Sequence, residues 1–215
     1  MSQHHPDTEL LVDYAAGSLA FGPSLCVAVH LADCPLCRGR VNDLTMLGAE
    51  LVEQMEPAAV SDDLLENVLA GIDARPAPSA RIRAVPGAPQ PLSKLIPNGL
   101  SAMPWKRLTP ALQAVVLGVG DAENQVSLIR MKPGGTIPEH RHKGSELTVV
   151  LKGGFSDSGG SYERGDFMAL GEDDIHRPIA HQNGDCICLA AQNAPLQFTG
   201  FWSKLANPFL AIQPQ

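Results

Sequence analysis

Apolar positions recur every three to four residues through the first third of the chain and then change to short blocks separated by turn residues. The first spacing is that of amphipathic helices, the second that of strands. Pro6 and Asp7 precede LLVDYAAG, so a capped helix is expected that stops at Gly17. Pro23 opens a second helix through LCVAVHLA, and Pro35 suits the first turn of a third. Along that third helix Cys37, Val41, Leu44, Leu47, Leu51 and Met55 share one face. Ser61, followed by Asp62 and Asp63, caps a fourth stretch whose stripe is Leu64, Leu65, Val68, Leu69 and Ile72.

The segment RPAPSARIRAVPGAPQP then holds five prolines and almost nothing apolar, the composition of a semi-extended linker. From about residue 105 the runs LQAVVLGVG, QVSLIRM, ELTVVLKG, DFMAL, DCICLAA and LQFTGF alternate with glycines and turn residues. Many short strands at near-regular spacing argue for a sandwich or barrel. The chain is therefore expected to be an α+β protein of two domains. A small helical bundle spans 1–75, a Pro-rich linker and lead-in 76–104, and an antiparallel β-sandwich or β-barrel 105–215.

Charge divides the chain at the same place. Residues 1–75 carry twelve Asp or Glu against Arg38, Arg40 and Arg75, a balance of −9, whereas the remainder is +2. An acidic block is a poor partner for nucleic acid, which demands a basic footprint, and a better one for a basic protein surface. No apolar run reaches the ~18 residues that span a bilayer, and the opening MSQHHPDTE lacks the pattern of a secretory signal. Five cysteines, two of them at metal-site spacing with a histidine, point to a reducing cytoplasm.

Two constellations carry candidate chemistry. In HLADCPLC, His30 and Cys34 lie one helical turn apart, and the x2 turn brings Cys37 beside Cys34. Soft thiolates with imidazole suit a closed structural zinc site. The fourth ligand must come from elsewhere: His5 is the first choice and His4 its rival. Cys26, one turn before His30, reads as a small core residue. In PEHRHKGSE, His140 and His142 face the same way on a strand, and Glu146 returns from beyond the turn. His176 is preferred over His181 as a third imidazole. Such a His/carboxylate set suits zinc or another divalent transition metal and leaves the choice open.

Gly134, His140, His142, Glu146 and Gly153 stand at the spacing G-x5-H-x-H-x3-E-x6-G. That segment is similar to the first motif of the cupin family. The second cupin motif is degraded: Gly165, Asp166 and His176 remain, but Ala169-Leu170-Gly171 replaces its Pro-x-Gly. Taken with HHPDTELLVDYAAG, HLADCPLC, DCICLAAQNAPLQF and the closing KLANPF, the whole chain resembles the ChrR-type anti-sigma factors. In that family a zinc-binding anti-sigma domain precedes a cupin-like domain.

The resemblance implies a zinc set of His5, His30, Cys34 and Cys37 and a cupin metal set of His140, His142, Glu146 and His176. It implies a one-to-one complex with a sigma factor of the extracytoplasmic-function class, inhibited by the helical domain, with Leu64 to Ile72 a candidate contact. The cupin would sense oxidative stress, singlet oxygen or an organic hydroperoxide, and release sigma. Cys186 and Cys188 read either as oxidant targets or as inward strand residues. The competing class is a cupin metalloenzyme, a dioxygenase or isomerase, with a zinc-stapled appendage; the degraded second motif and the acidic bundle argue against it.

Overall fold

The computed structural model describes residues 2–75, 85 and 87–199, which are helical first and β-rich after. The closing KLANPF and most of the Pro-rich stretch lie outside the described residues. Helix α1 spans Thr8–Ala16; Asp7 accepts the Leu10 amide at 2.7 Å, and Gly17 forms the C-cap. Helix α2, Phe21–Asp33, begins two residues before the expected Pro23. The reason is tertiary. The first-turn amide of Gly22 donates to the buried carboxylate of Asp121 at 2.7 Å, satisfying an otherwise orphaned donor from across the fold. A Cβ on Gly22 would sit 2.9 Å from Val126 Cγ2, so the helix approaches the strand as closely as glycine permits.

Cys34 ends α2 and caps α3, Pro35–Glu53, with Pro35 at its start. Helix α4, Leu64–Asp73, departs from expectation at its cap. Asp63 is the capping residue and makes no side-chain cap bond, because its carboxylate accepts from Asn67 Nδ2 instead. Ser61 contributes its carbonyl to the Leu64 amide.

The twelve strands among the described residues all pair antiparallel. The largest sheet has six: β1 (Lys106–Arg107), β2 (Leu112–Leu117), β3 (Gln125–Met131), β11 (Cys186–Gln192), β5 (Glu146–Lys152) and β8 (Phe167–Leu170), in that spatial order. A second sheet pairs β10 (Ile179–Ala180), β6 (Gly154–Asp157) and β7 (Gly160–Glu163). The third pairs β12 (Leu196–Phe198), β4 (His140–His142) and β9 (Ile175–His176). Side chains from all three sheets line one cavity, so the sheets face each other. Their ladders do not join into a closed barrel among the described residues. Gly153, at φ 67°, turns β5 into β6, where a Cβ would stand 2.5 Å from the Asp185 carbonyl.

Every residue of β11 is buried, which is the mark of a strand covered on both faces. Cys186 and Cys188 face the interior with Met131, Val150, Phe155 and Met168. Ile187, Leu189 and Ala191 face outward into a core shared with Leu25, Val27 and Val29 of α2. The helical module is therefore docked on the outside of the large sheet. Each of those three helical side chains contributes about 1.5–3 kcal/mol by burial. The lead-in also departs from a free linker. A short turn at Gln90–Leu92 packs under α2, with Leu92 and Ile96 fully buried. No single helix among the described residues is long and apolar enough to cross a membrane.

Helix α4 and the far half of α3 are treated differently. Met46, Leu47, Leu51, Val52 and Met55 of that arm, and Leu64, Leu65, Val68, Leu69 and Ile72, are all exposed, several beyond half of their surface. The apolar stripes predicted there exist but are not covered by any other part of the chain among the described residues.

Candidate metal centres

The helical centre is assembled from the end of α2, the first turn of α3 and the segment preceding α1. His5, His30, Cys34 and Cys37 each offer one ligand atom, and these lie within 4.8 Å of one another. His5 Nδ1 is 3.4 Å from Cys34 Sγ, 3.5 Å from Cys37 Sγ and 3.5 Å from His30 Nε2. Around a tetrahedral zinc with ordinary bond lengths, S···N edges are about 3.5 Å and N···N edges about 3.3 Å. The residues fit a four-coordinate ion. His4 is not among them: its ring lies 4.4 Å from that of Tyr162, and its Nε2 lies 3.2 Å from the Ser161 carbonyl oxygen.

Burial, and then the neighbouring Cys34, pushes the Cys37 thiol up to about 11. Burial also lowers His30. The imidazole is thus held neutral, ready to ligate, while the Cys37 thiol needs a cation to ionise at neutral pH. Metal loading therefore releases protons and is lost on acidification.

The orientation of His30 is supplied by the other module. Its Nδ1 donates to the Gly165 carbonyl at 2.7 Å, leaving Nε2 to face the cluster. Next to it, Asp166 Oδ1 accepts the amides of Gln3 at 2.6 Å and His4 at 3.2 Å, and the Phe167 amide donates to the His4 carbonyl. The segment that delivers His5 is thereby laid along the turn between β7 and β8. Sequence reasoning noted Gly165 and Asp166 as motif remnants but gave them no part in the helical centre.

The interior centre brings together His140, His142 and His176, all buried. His176 Nε2 lies 3.0 Å from His140 Nε2 and 3.4 Å from His142 Nε2. Two of the rings are fixed from behind: His140 Nδ1 donates to the Pro138 carbonyl at 2.8 Å, and His176 Nδ1 to Asp157 Oδ2 at 2.9 Å. Burial, opposed by the Pro138 bond, drives His140 down to about 4 and lowers His142 as well. Three imidazoles converging on one point could hold a metal ion and leave a coordination position open.

Glu146 lies at the same cavity, but its carboxylate is not part of the group of three. It accepts from Thr148 Oγ1 at 2.7 Å and from the Gln192 side-chain amide, with its nearer oxygen 3.4 Å from His142 Nδ1. The local H-x-H spacing signalled the histidines, whereas no sequence signal singled out Asp157, Thr148 or Gln192. His181 sits apart, its Nε2 2.9 Å from Ser156 Oγ. Cys188 lines the cavity, with its sulfur 3.7 Å from that of Cys186. The Cys186 contact and burial hold Cys188 as a protonated thiol. Cys26 is buried between α2 and β5, its thiol 3.7 Å from the Leu147 carbonyl, outside both clusters.

Known proteins resemble this chain in both sequence and fold. The family described as ChrR Cupin-like domain matches residues 98–195. Over 213 residues, 98% of this chain and 99% of the relative, the sequence is 39% identical to the anti-sigma-E factor ChrR of Cereibacter sphaeroides. The crystal structure of Rhodobacter sphaeroides SigE in complex with the anti-sigma ChrR matches with a TM-score of 0.81 at 36% identity, covering 89% of this chain and all of that one.

Proposed function

The chain belongs to the ChrR family of anti-sigma factors, and from that premise we propose how it acts: its helical module binds and inhibits a sigma factor of the extracytoplasmic-function class, one to one, in the cytoplasm. The observation that carries the reading is the family's match to a sigma complex together with the bare apolar face of α4 and the α3 arm. Exposed apolar surface of this kind marks a protein interface. Asp62, Asp63 and Glu66 flank it, and an acidic rim steers it toward the basic helices with which a sigma factor meets DNA.

Residues 1–75 form the inhibitory module and 105–215 the sensory one. Zinc in the helical centre is structural: His5, His30, Cys34 and Cys37 hold it and thereby fix α1, α2 and α3 relative to one another. His140, His142 and His176, with Glu146 beside them, would hold zinc or another divalent transition metal. The cavity there is about 30 Å³, room for a water-sized species. In this reading the cupin senses oxidative stress, singlet oxygen or an organic hydroperoxide, and releases sigma. Family membership supports a regulator over an enzyme.

The test is co-expression with sigma factors of this class, followed by size exclusion and metal analysis of the complex. A stable one-to-one complex containing zinc is expected, and the absence of any complex would refute the reading. His140→Ala should preserve inhibition while blunting induction by singlet oxygen. Undiminished induction would remove the interior ion from sensing.

A further inference from the structure

The two centres are joined by one piece of chain. Strands β6 and β7 pair as a tight hairpin, with Phe155 opposite Tyr162 and Asp157 opposite Gly160. At the turn end Asp157 uses Oδ2 to accept from His176 of the interior triad, while its Oδ1 accepts the Gly159 amide at 2.8 Å. Just past the other end, Gly165 offers its carbonyl to His30 of the helical centre. A second route runs through side chains. Phe155 lines the interior cavity and stacks on Tyr162, with centroids 4.9 Å apart; Tyr162 in turn packs on His4, the neighbour of His5.

We propose that the β6–β7 hairpin couples the two metal centres, Asp157 and the Gly165 carbonyl acting as positioning groups for one ligand of each. Asp157 ends one strand of the hairpin and Gly165 lies two residues past the end of the other, so an interior ion that fixes His176 and Asp157 also bears on where Gly165 presents its carbonyl. Emptying the interior centre lets the hairpin shift and loosens the orientation of His30 and the seating of the His4–His5 segment. The helical centre then binds its ion less tightly, and the coupling is reciprocal, because linkage between two binding sites must be. This inference rests on both clusters holding ions, and it goes beyond the anti-sigma reading by naming the path between its two halves.

The experiment uses the full-length chain and cobalt(II), whose absorption when bound to thiolate reports on the Cys34 and Cys37 centre. Cobalt affinity there is measured by chelator competition in the native chain and in His140→Ala/His176→Ala. A drop of about 5-fold or more is expected when the interior centre cannot load, within the usual range of site-to-site coupling. Asp157→Ala leaves every ligand in place; it should weaken the interior centre about 10–100-fold and carry the helical centre down with it. Tyr162→Ala keeps both ligand sets as well and removes the side-chain route, so adding the histidine substitutions should then lower the helical affinity by less than it does in the native chain. Equal cobalt affinity with the interior loaded or empty, in a chain that binds two ions, overturns the coupling alone. A chain that takes up fewer than two ions overturns the coupling and the two-centre reading together. Coupling that persists unchanged in both Asp157→Ala and Tyr162→Ala overturns the hairpin as its route.

Discussion

Helices α2 and α4 carry the same kind of apolar stripe, and the molecule treats them in opposite ways. Leu25, Val27 and Val29 of α2 vanish into a core shared with β5 and β11, while Leu65 and Leu69 of α4 stay more than half exposed. Amphipathic periodicity tells a helix to bury one face but not whose surface will cover it. For α2 the partner is the outer face of a sheet in its own chain. For α4 no cover exists among the described residues, and its exposed stripe is the surface that the proposed sigma contact would bury.

The comparison breaks hardest at Val27. Val27→Asp puts an unpaired carboxylate into the shared core and should cost about 3–5 kcal/mol, read as a lowered urea midpoint. The counterpart on α4, Leu65→Glu with Leu69→Glu, should leave the midpoint within about 0.5 kcal/mol while weakening sigma binding at least ~30-fold by calorimetry, the size of one interface hot spot. A stability loss on α4 equal to that on α2 would erase the distinction.

Acid provides a gentler version. His30 lies on the buried side of α2 and burial depresses its pKa, so in the metal-free chain the folded state resists its protonation. Stability contributed by the neutral ring is complete above the unfolded value of ~6.5 and declines as pH falls from there through the lower folded value. Urea midpoints of the metal-free chain should drop over that window, and His30→Asn should flatten the slope. Helix α4 contains no histidine and contributes nothing to it.

Much of this was legible from local spacing. Asp7, Gly17 and Pro35 act at or next to helix ends, and QVSLIRM is β3 residue for residue. The His30–Cys34–Cys37 and His140–His142 groups are close in sequence, so a turn and a strand suffice to assemble them. What escaped was whatever depends on long-range approach. The β6–β7 hairpin, GFSDSGGSYE, is rich in glycine and serine and gives each strand one large apolar side chain, too few for a periodic signal. DCICLAA reads as a strand, but nothing local tells that both of its faces are buried or that α2 covers the outer one. Glu146 stands where the motif puts it, yet Gln192 and Thr148, both distant from any motif logic, engage its carboxylate.

The central claim is that a metal-fixed helical module is what sigma recognises. It is tested most directly by measuring sigma affinity for the native chain and for Cys34→Ser/Cys37→Ser, with the zinc content of each determined in parallel. The account predicts tight binding by the zinc-loaded chain and no measurable binding by the variant. An equally tight complex formed by the zinc-free variant would contradict it.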